Sequence, residues 1–199
     1  MKLLAFTDVH VNQASYQKIK VKALQYKPDL MVCCGDISIF GSYLDITTKF
    51  LDALNIPTLI IPGNHESPSE LKSLCSKYKN LIYLHKGSYE IGDYLFFGWG
   101  TGGFSFIEKE FEVLAEKFKK TYDKKKKLIF ITHAPIYGTK IDLLSMGHRG
   151  CKSTRKFIEE TNPILTLCGH FHETFHQKDK VKKTLIINPG NDGEIIKIN

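Results

Sequence analysis

Nine short apolar runs punctuate the chain: KLLAFT (2–7), DLMVCC (29–34), TLIIP (58–62), NLIYL (80–84), YLFFGW (94–99), KLIFIT (127–132), ILTLC (164–168), KTLIIN (183–188) and EIIKI (194–198). Each has the length of a strand, and several lack polar alternation, which predicts strands covered on both faces. Between them the apolar period lengthens. Ile19, Ala23 and Tyr26 share one face of a helix over 14–26, and Leu44, Leu51 and Leu54 do so over 43–54. Ile107, Phe111, Leu114, Phe118 and Tyr122 mark a further helix, and Pro68 suits the first turn of one over 69–77. The first 60 residues therefore read strand–helix–strand–helix–strand, a parallel sheet with helical crossovers.

The later pattern differs. EIGDYLFFGW and IINPGNDGEIIKI place strands on either side of Gly-Asp and Asn-Asp-Gly, which predicts two hairpins, and 173–187 reads as a third turning at QKDK. Nine or ten strands with about five helices exceed one small doubly wound layer. Two packed sheets with helices outside fit the count. No repeat, linker or low-complexity segment divides the chain, so residues 1–199 are expected to form a single domain.

Composition narrows the setting. With 42% hydrophobic and 12% aromatic residues, the chain has enough to build a core. The five cysteines, Cys33, Cys34, Cys75, Cys151 and Cys168, form no CxxC pair, and three end apolar runs, where a free thiol packs as a small hydrophobe. There is no secretory signal and no stretch long enough to span a membrane, so a cytoplasmic protein without membrane contact is expected. The net charge of +7 favours phosphate-bearing partners. Much of it lies in KFKKTYDKKKK (117–127) and KDKVKK (178–183), which lack the interleaved aromatics of a base-stacking platform and read as solvated surface.

The chemistry gathers at the carboxyl ends of the runs. Five of them lead into DVH, GD, GNHE, HAP and GHFH, supplying Asp8, His10, Asp36, Asn64, His65, His133, His170 and His172. Polar groups collect at the carboxyl ends of strands in open α/β sheets, and a glycine there lets backbone approach whatever the side chains hold. Taken singly, each residue has an ordinary explanation, an Asx-turn for Asp36 or Asn64, a hydrogen-bonded core position for His133. Jointly they do not, because unpaired buried carboxylates and imidazoles are costly. Without His65 the set is two Asp, one Asn and four His, too many for one four-coordinate ion and an even division over two if Asp36 bridges. Nitrogen and oxygen donors without thiolate suit Mn²⁺ foremost, or Fe²⁺, Zn²⁺, Co²⁺ or Ni²⁺.

These motifs, in this order over residues 8 to 172, resemble those of the calcineurin-like metallophosphoesterase superfamily, in particular its small single-domain prokaryotic phosphodiesterases. The resemblance implies a four-layer αββα sandwich of two mixed β-sheets with flanking helices. It implies that Asp8, His10 and His172 hold one metal, that Asn64, His133 and His170 hold the other, and that Asp36 bridges. It also places His65 at the leaving-group oxygen rather than on a metal. GHRGC (147–151) resembles a segment at the mouth of the site that usually ends in Ser, and makes His148 a second candidate catalytic residue, with Arg149 beside it able to meet a phosphate oxygen. Cys151 in place of that Ser, and Asn12 where Gly is frequent, are departures. His85 and His176 fit no cluster.

The expected chemistry is hydrolysis of a phosphodiester by a hydroxide bridging two metals about 3.5–4 Å apart, with His65 donating to the departing oxygen. The substrate expected is a small phosphate ester. A nuclease acting on single-stranded or damaged nucleic acid, and a non-catalytic metal-bound interaction module, are the alternatives. Oligomeric state stays open.

Overall fold

The computed structural model describes residues 1–198. Its first half alternates β1 (Lys2–Phe6), α1 (Gln13–Tyr26), β2 (Leu30–Cys33), α2 (Leu44–Ala53), β3 (Thr58–Ile60), α3 (Pro68–Cys75) and β4 (Leu81–Tyr83). Then come β5 (Ser88–Ile91), β6 (Tyr94–Trp99), α4 (Lys109–Thr121) and β7 (Lys127–Thr132). A two-residue ladder of β8 (Leu143–Leu144) and β9 (Gly147–His148) precedes α5 (Lys152–Thr161). The chain finishes with β10 (Leu165–Leu167), β11 (Lys178–Val181), β12 (Thr184–Ile187) and β13 (Glu194–Lys197).

One sheet has the order β13-β1-β2-β3-β4, parallel except for β13. The other has the order β11-β12-β10-β7-β6-β5, parallel at its centre and antiparallel at both edges. The runs lack polar alternation because every inner strand is covered twice. In β1, Leu3 and Ala5 join Ile129, Ile131 and Leu167 of the other sheet, while Leu4 and Phe6 pack with Tyr16, Ile19 and Ala23 of α1. In β7, Leu128 and Phe130 turn outward onto Phe111 of α4 and Phe157 of α5. The four-layer αββα sandwich results from that division of odd and even positions.

The four helices read from apolar spacing form within two residues of the expected bounds. Asn12 is explained locally: its side chain accepts from Ser15 N (3.0 Å) and caps α1. Two sequence expectations fail. IINPGNDGEIIKI is not a hairpin, since β12 lies in the second sheet beside β10 while β13 pairs with β1 in the first. The Asn-Asp-Gly signal is local, and it is outweighed by an open edge of β1 that β13 fills. The hairpin over 173–187 exists, but QKDK lies largely within β11 and the turn falls at Lys182–Lys183.

Candidate metal centre

β1, β2, β3, β7 and β10 all run toward the same end of the molecule, and the loops leaving them meet there. The meeting is tight. A β-carbon on Gly63 would lie 2.0 Å from Asp36 Oδ1, and one on Gly169 would lie 1.9 Å from Thr7 Oγ1 and 2.5 Å from Asp8 Oδ2. The glycines in GNHE and GHFH are therefore needed for close approach. Four of the clustered residues also adopt left-handed backbone: Asp8 (φ 52°), His10 (φ 44°), Asp36 (φ 54°) and His170 (φ 74°). Such conformations cost about 1–3 kcal/mol each and persist only where surroundings enforce them. Here Asp8 N donates to Gly35 O (3.0 Å) and His10 N to Asp36 O (3.0 Å), so the first two loops pin one another.

All seven expected ligands come together. His10 Nε2 lies 3.2 Å from His172 Nε2, 3.8 Å from Asp8 Oδ1 and 3.8 Å from Asp36 Oδ2. On the other side, His133 Nε2 is 3.4 Å from the same Asp36 Oδ2 and 3.0 Å from Asn64 Oδ1. Asp36, His133 and His170 form one group of close donor atoms, and Asp8, His10 and His172 another. Asp36 Oδ2 is thus the atom common to both halves.

The hydrogen bonds outside the cluster orient the donors inward. His10 Nδ1 contacts Ser38 O (3.1 Å) and His133 Nδ1 contacts Cys34 O (2.9 Å). A carbonyl can only accept, so each ring carries a proton on Nδ1 and can aim the Nε2 lone pair at the cluster. Asp8 Oδ2 accepts from Thr7 Oγ1 (2.5 Å) and His170 N (2.8 Å), whereas its buried Oδ1 has no hydrogen-bond partner among the described residues. A carboxylate oxygen without a hydrogen-bond partner, facing the imidazoles of His10 (3.8 Å) and His172 (3.6 Å), is the donor chemistry a divalent cation satisfies.

Protonation shows the same demand for positive charge. Burial opposes the Asp8 carboxylate, but bonds from His172, Thr7 and His170 N and the charge of His133 hold its pKa at about 2. Burial likewise opposes the His133 cation, yet Asp36 and Asp8 outweigh it and raise the imidazole to about 9. His170, buried and repelled by His133, is lowered to about 4.

His65 stands apart from this pattern. Its backbone N donates to Asp36 Oδ1 (2.9 Å), while its ring Nδ1 accepts from Phe40 N (3.2 Å) and the ring packs on Phe40. An accepting Nδ1 leaves the proton on Nε2, so this ring can donate there, and it lies close to His10 and Asp36. His65 lines the cavity of about 470 Å³ at the cluster, together with His10, Asp36, Asn64, His170 and His172. His148 is not among its lining residues. Its Nδ1 is held by the buried Asp142 Oδ1 (2.7 Å), which also accepts from Thr139 N. His85 accepts from Gly100 N and His176 pairs with Asp192, both away from the cavity.

Sequence reasoning passed over Glu66. Buried at 5% exposure, its carboxylate accepts from Asp36 N (2.9 Å), Ser38 N (3.0 Å), Ser38 Oγ (2.6 Å) and Gly63 N (2.9 Å). It ties the GD loop to the GNHE loop, and its signal was the final letter of that motif.

A four-layer αββα sandwich whose strand ends gather carboxylates, imidazoles and one amide in a single cleft defines a metal-site phosphoesterase class. The chain belongs to the calcineurin-like phosphoesterases, whose family model matches residues 1–174. The uncharacterized protein MJ1162 of Methanocaldococcus jannaschii is 28% identical over 201 residues, covering 95% of this chain and 88% of that one. A probable glycerophosphodiester phosphodiesterase, GpdQ of Arcobacter nitrofigilis, is 30% identical over 189 residues, 85% of this chain and 66% of that longer one. The crystal structure of TT1561 from Thermus thermophilus has the same fold, with a TM-score of 0.78 at 16% identity over 96% of this chain and 90% of that one. No helix among the described residues is long and apolar enough to cross a membrane.

Proposed function

We propose that the protein is a two-metal phosphodiesterase of small phosphate esters. The observation that carries this reading is the shared Asp36 Oδ2, set between two groups of inward-facing donors. Asp8, His10 and His172 would hold one divalent transition ion, Mn²⁺ foremost, and Asn64, His133 and His170 the other. Two such ions supply Lewis-acid charge for phosphoryl oxygens and acidify a water. The protein's own part is to orient and to donate. His65, with its Nε2 proton facing the cleft, gives a hydrogen bond or proton to the departing oxygen, and Phe40 holds the ring in that tautomer. The relative named as a glycerophosphodiester phosphodiesterase supports a diester as substrate.

The test pairs metal analysis with kinetics. Protein reconstituted with Mn²⁺ should bind two ions per chain and hydrolyse bis-p-nitrophenyl phosphate, and chelator should abolish turnover. His65→Ala should keep both ions while turnover falls by about 10²–10⁴-fold, the loss being smaller for p-nitrophenolate than for an alkoxide leaving group. Saturation at one ion, or two ions with no turnover of any phosphate ester, would overturn the reading.

A further inference from the structure

The metal cleft has an apolar annex. A second cavity of about 310 Å³ is lined by Phe104, Phe106, Leu144, Met146, Arg149 and Phe171. It adjoins the cleft, because Phe104 lines both and stands edge-on to His170 at 4.7 Å between ring centroids. Phe171 lies between two of the candidate ligands, and its ring is 5.0 Å from that of His170. Phe104 is 80% exposed and Met146 67%, which puts large apolar side chains in solvent beside a strongly polar site.

One of the rings, Phe106, is anchored at its backbone and its face. Phe106 O accepts from Lys152 N (2.7 Å), and the Lys152 ammonium lies 5.2 Å from the Phe106 ring centre. Gly103 (φ 103°) brings the loop so close that a β-carbon there would lie 2.7 Å from the His170 ring. The guanidinium of Arg149, which donates to Met146 O (3.2 Å), adds a flat cationic group to the lining.

Resting on the phosphodiesterase reading of the adjacent cleft, the geometry points to the annex as a specificity pocket for an aromatic ester group of the substrate. An apolar cavity of about 150 Å³ accommodates benzene, so this one has room for more than a single six-membered ring. Phenylalanine edges, a thioether and a guanidinium plane each favour a flat π-system beyond the area it buries, whereas an alkyl chain gains area alone. A glycerol group, with its hydroxyls, gains little from such walls.

The position of His65 decides which ester group enters. His65 packs on Phe40 and His10, whereas the annex adjoins His170 and Phe171. With the departing oxygen at His65, the group left on the phosphate occupies the annex. Phe104, Phe106 and Met146 thus determine specificity without touching the reacting atoms.

The test compares phenyl and methyl p-nitrophenyl phosphate, which share a leaving group, on the Mn²⁺-reconstituted protein. The phenyl ester should be preferred by about tenfold in kcat/KM, mainly through KM, with cyclohexyl between the two. Phenylphosphonate should likewise bind more tightly than methylphosphonate by calorimetry. Phe106→Ala combined with Met146→Ala should bring both ratios toward one. Equal kcat/KM for phenyl and methyl esters in the unaltered protein, or ratios unmoved by the double variant, would overturn the proposal. Absence of turnover sinks the phosphodiesterase reading, and the phosphonate ratio then still decides the annex: tighter phenyl binding lost in the variant upholds it, and equal binding removes it.

Discussion

The two halves of the candidate metal centre are built to different standards. His133 is fully buried, with one ring nitrogen on Cys34 O and the other beside Asn64 and Asp36. Across the cleft, the side chain of His172 is 54% exposed and begins a short 3₁₀ turn, its ring stacked on Phe175 and 5.1 Å from that of His10. His10 is intermediate at 20%. The half with Asn64 and His170 is built around a fully buried ring contacted at both nitrogens, whereas the other half includes an exposed side chain whose ordering on binding would cost entropy. Preorganisation saves the cost of that ordering. The two ions should therefore be held unequally, the one at Asn64, His133 and His170 more tightly.

Asp36→Asn should erase the inequality along with the site. It neutralises the atom common to both halves, so both ions should be lost or severely weakened and turnover should drop by about 10⁴-fold or more. Metal analysis after dialysis checks this, and two tightly bound ions with near-normal turnover would contradict the bridging role. Next in size, His133→Gln should cost more than His172→Gln. Water can replace an exposed imidazole in part, but not one inside a closed wall. Calorimetric titration of the unaltered protein should resolve two unequal Mn²⁺ steps, with His172→Gln weakening only the lower-affinity one.

Glu66→Gln should act through position. One face of the amide presents N–H where backbone N–H groups of Asp36, Ser38 or Gly63 already point, so part of the anchor is lost. Partners that orient ligands cost about 10–100-fold in metal affinity when removed, and the same calorimetric titration reads that loss. The smallest effect belongs to the lysines. Changing Lys124 to Lys127 together to Gln should leave turnover of a nitrophenyl diester within about twofold. Lys127 opens the six-residue strand that ends in Thr132, just before His133, which puts it roughly 20 Å from the cleft, beyond the ~8 Å Debye length. A fall confined to nucleic acid and steepening at low salt would instead favour a polymer substrate.

Much of the candidate site could be read in the chain because its residues sit at strand ends. An apolar run announces the strand, and the next two or three letters are the site. The sandwich was readable for a related reason, since runs without alternation imply cover on both faces. What escaped depended on contacts between distant segments. α5 presents buried Ser153 and Thr154 beside Phe157 and Ile158, too thin an apolar stripe to register as a period. β13 leaves its expected partner for the open edge of β1, and Asn188, buried between the two segments, donates to Phe171 O (3.1 Å) beside the site. The annex was invisible for the same reason: Phe104, Met146 and Phe171 come from three separate loops.

β13 also sets the timing of assembly. It lies antiparallel against β1, with Leu4 opposite Ile195, and Ile198 N donates to Met1 O (2.9 Å). Likewise His170 N reaches Asp8 Oδ2 across 162 positions of chain. A ribosome adding about 5–20 residues per second leaves roughly ten to thirty seconds between the appearance of Asp8 and that of His170. Throughout that interval β1 has an unfilled edge, the kind that recruits foreign strands. The nascent chain exposes that edge while its first candidate ligands are already outside the tunnel and the strand that will close their sheet is still being made.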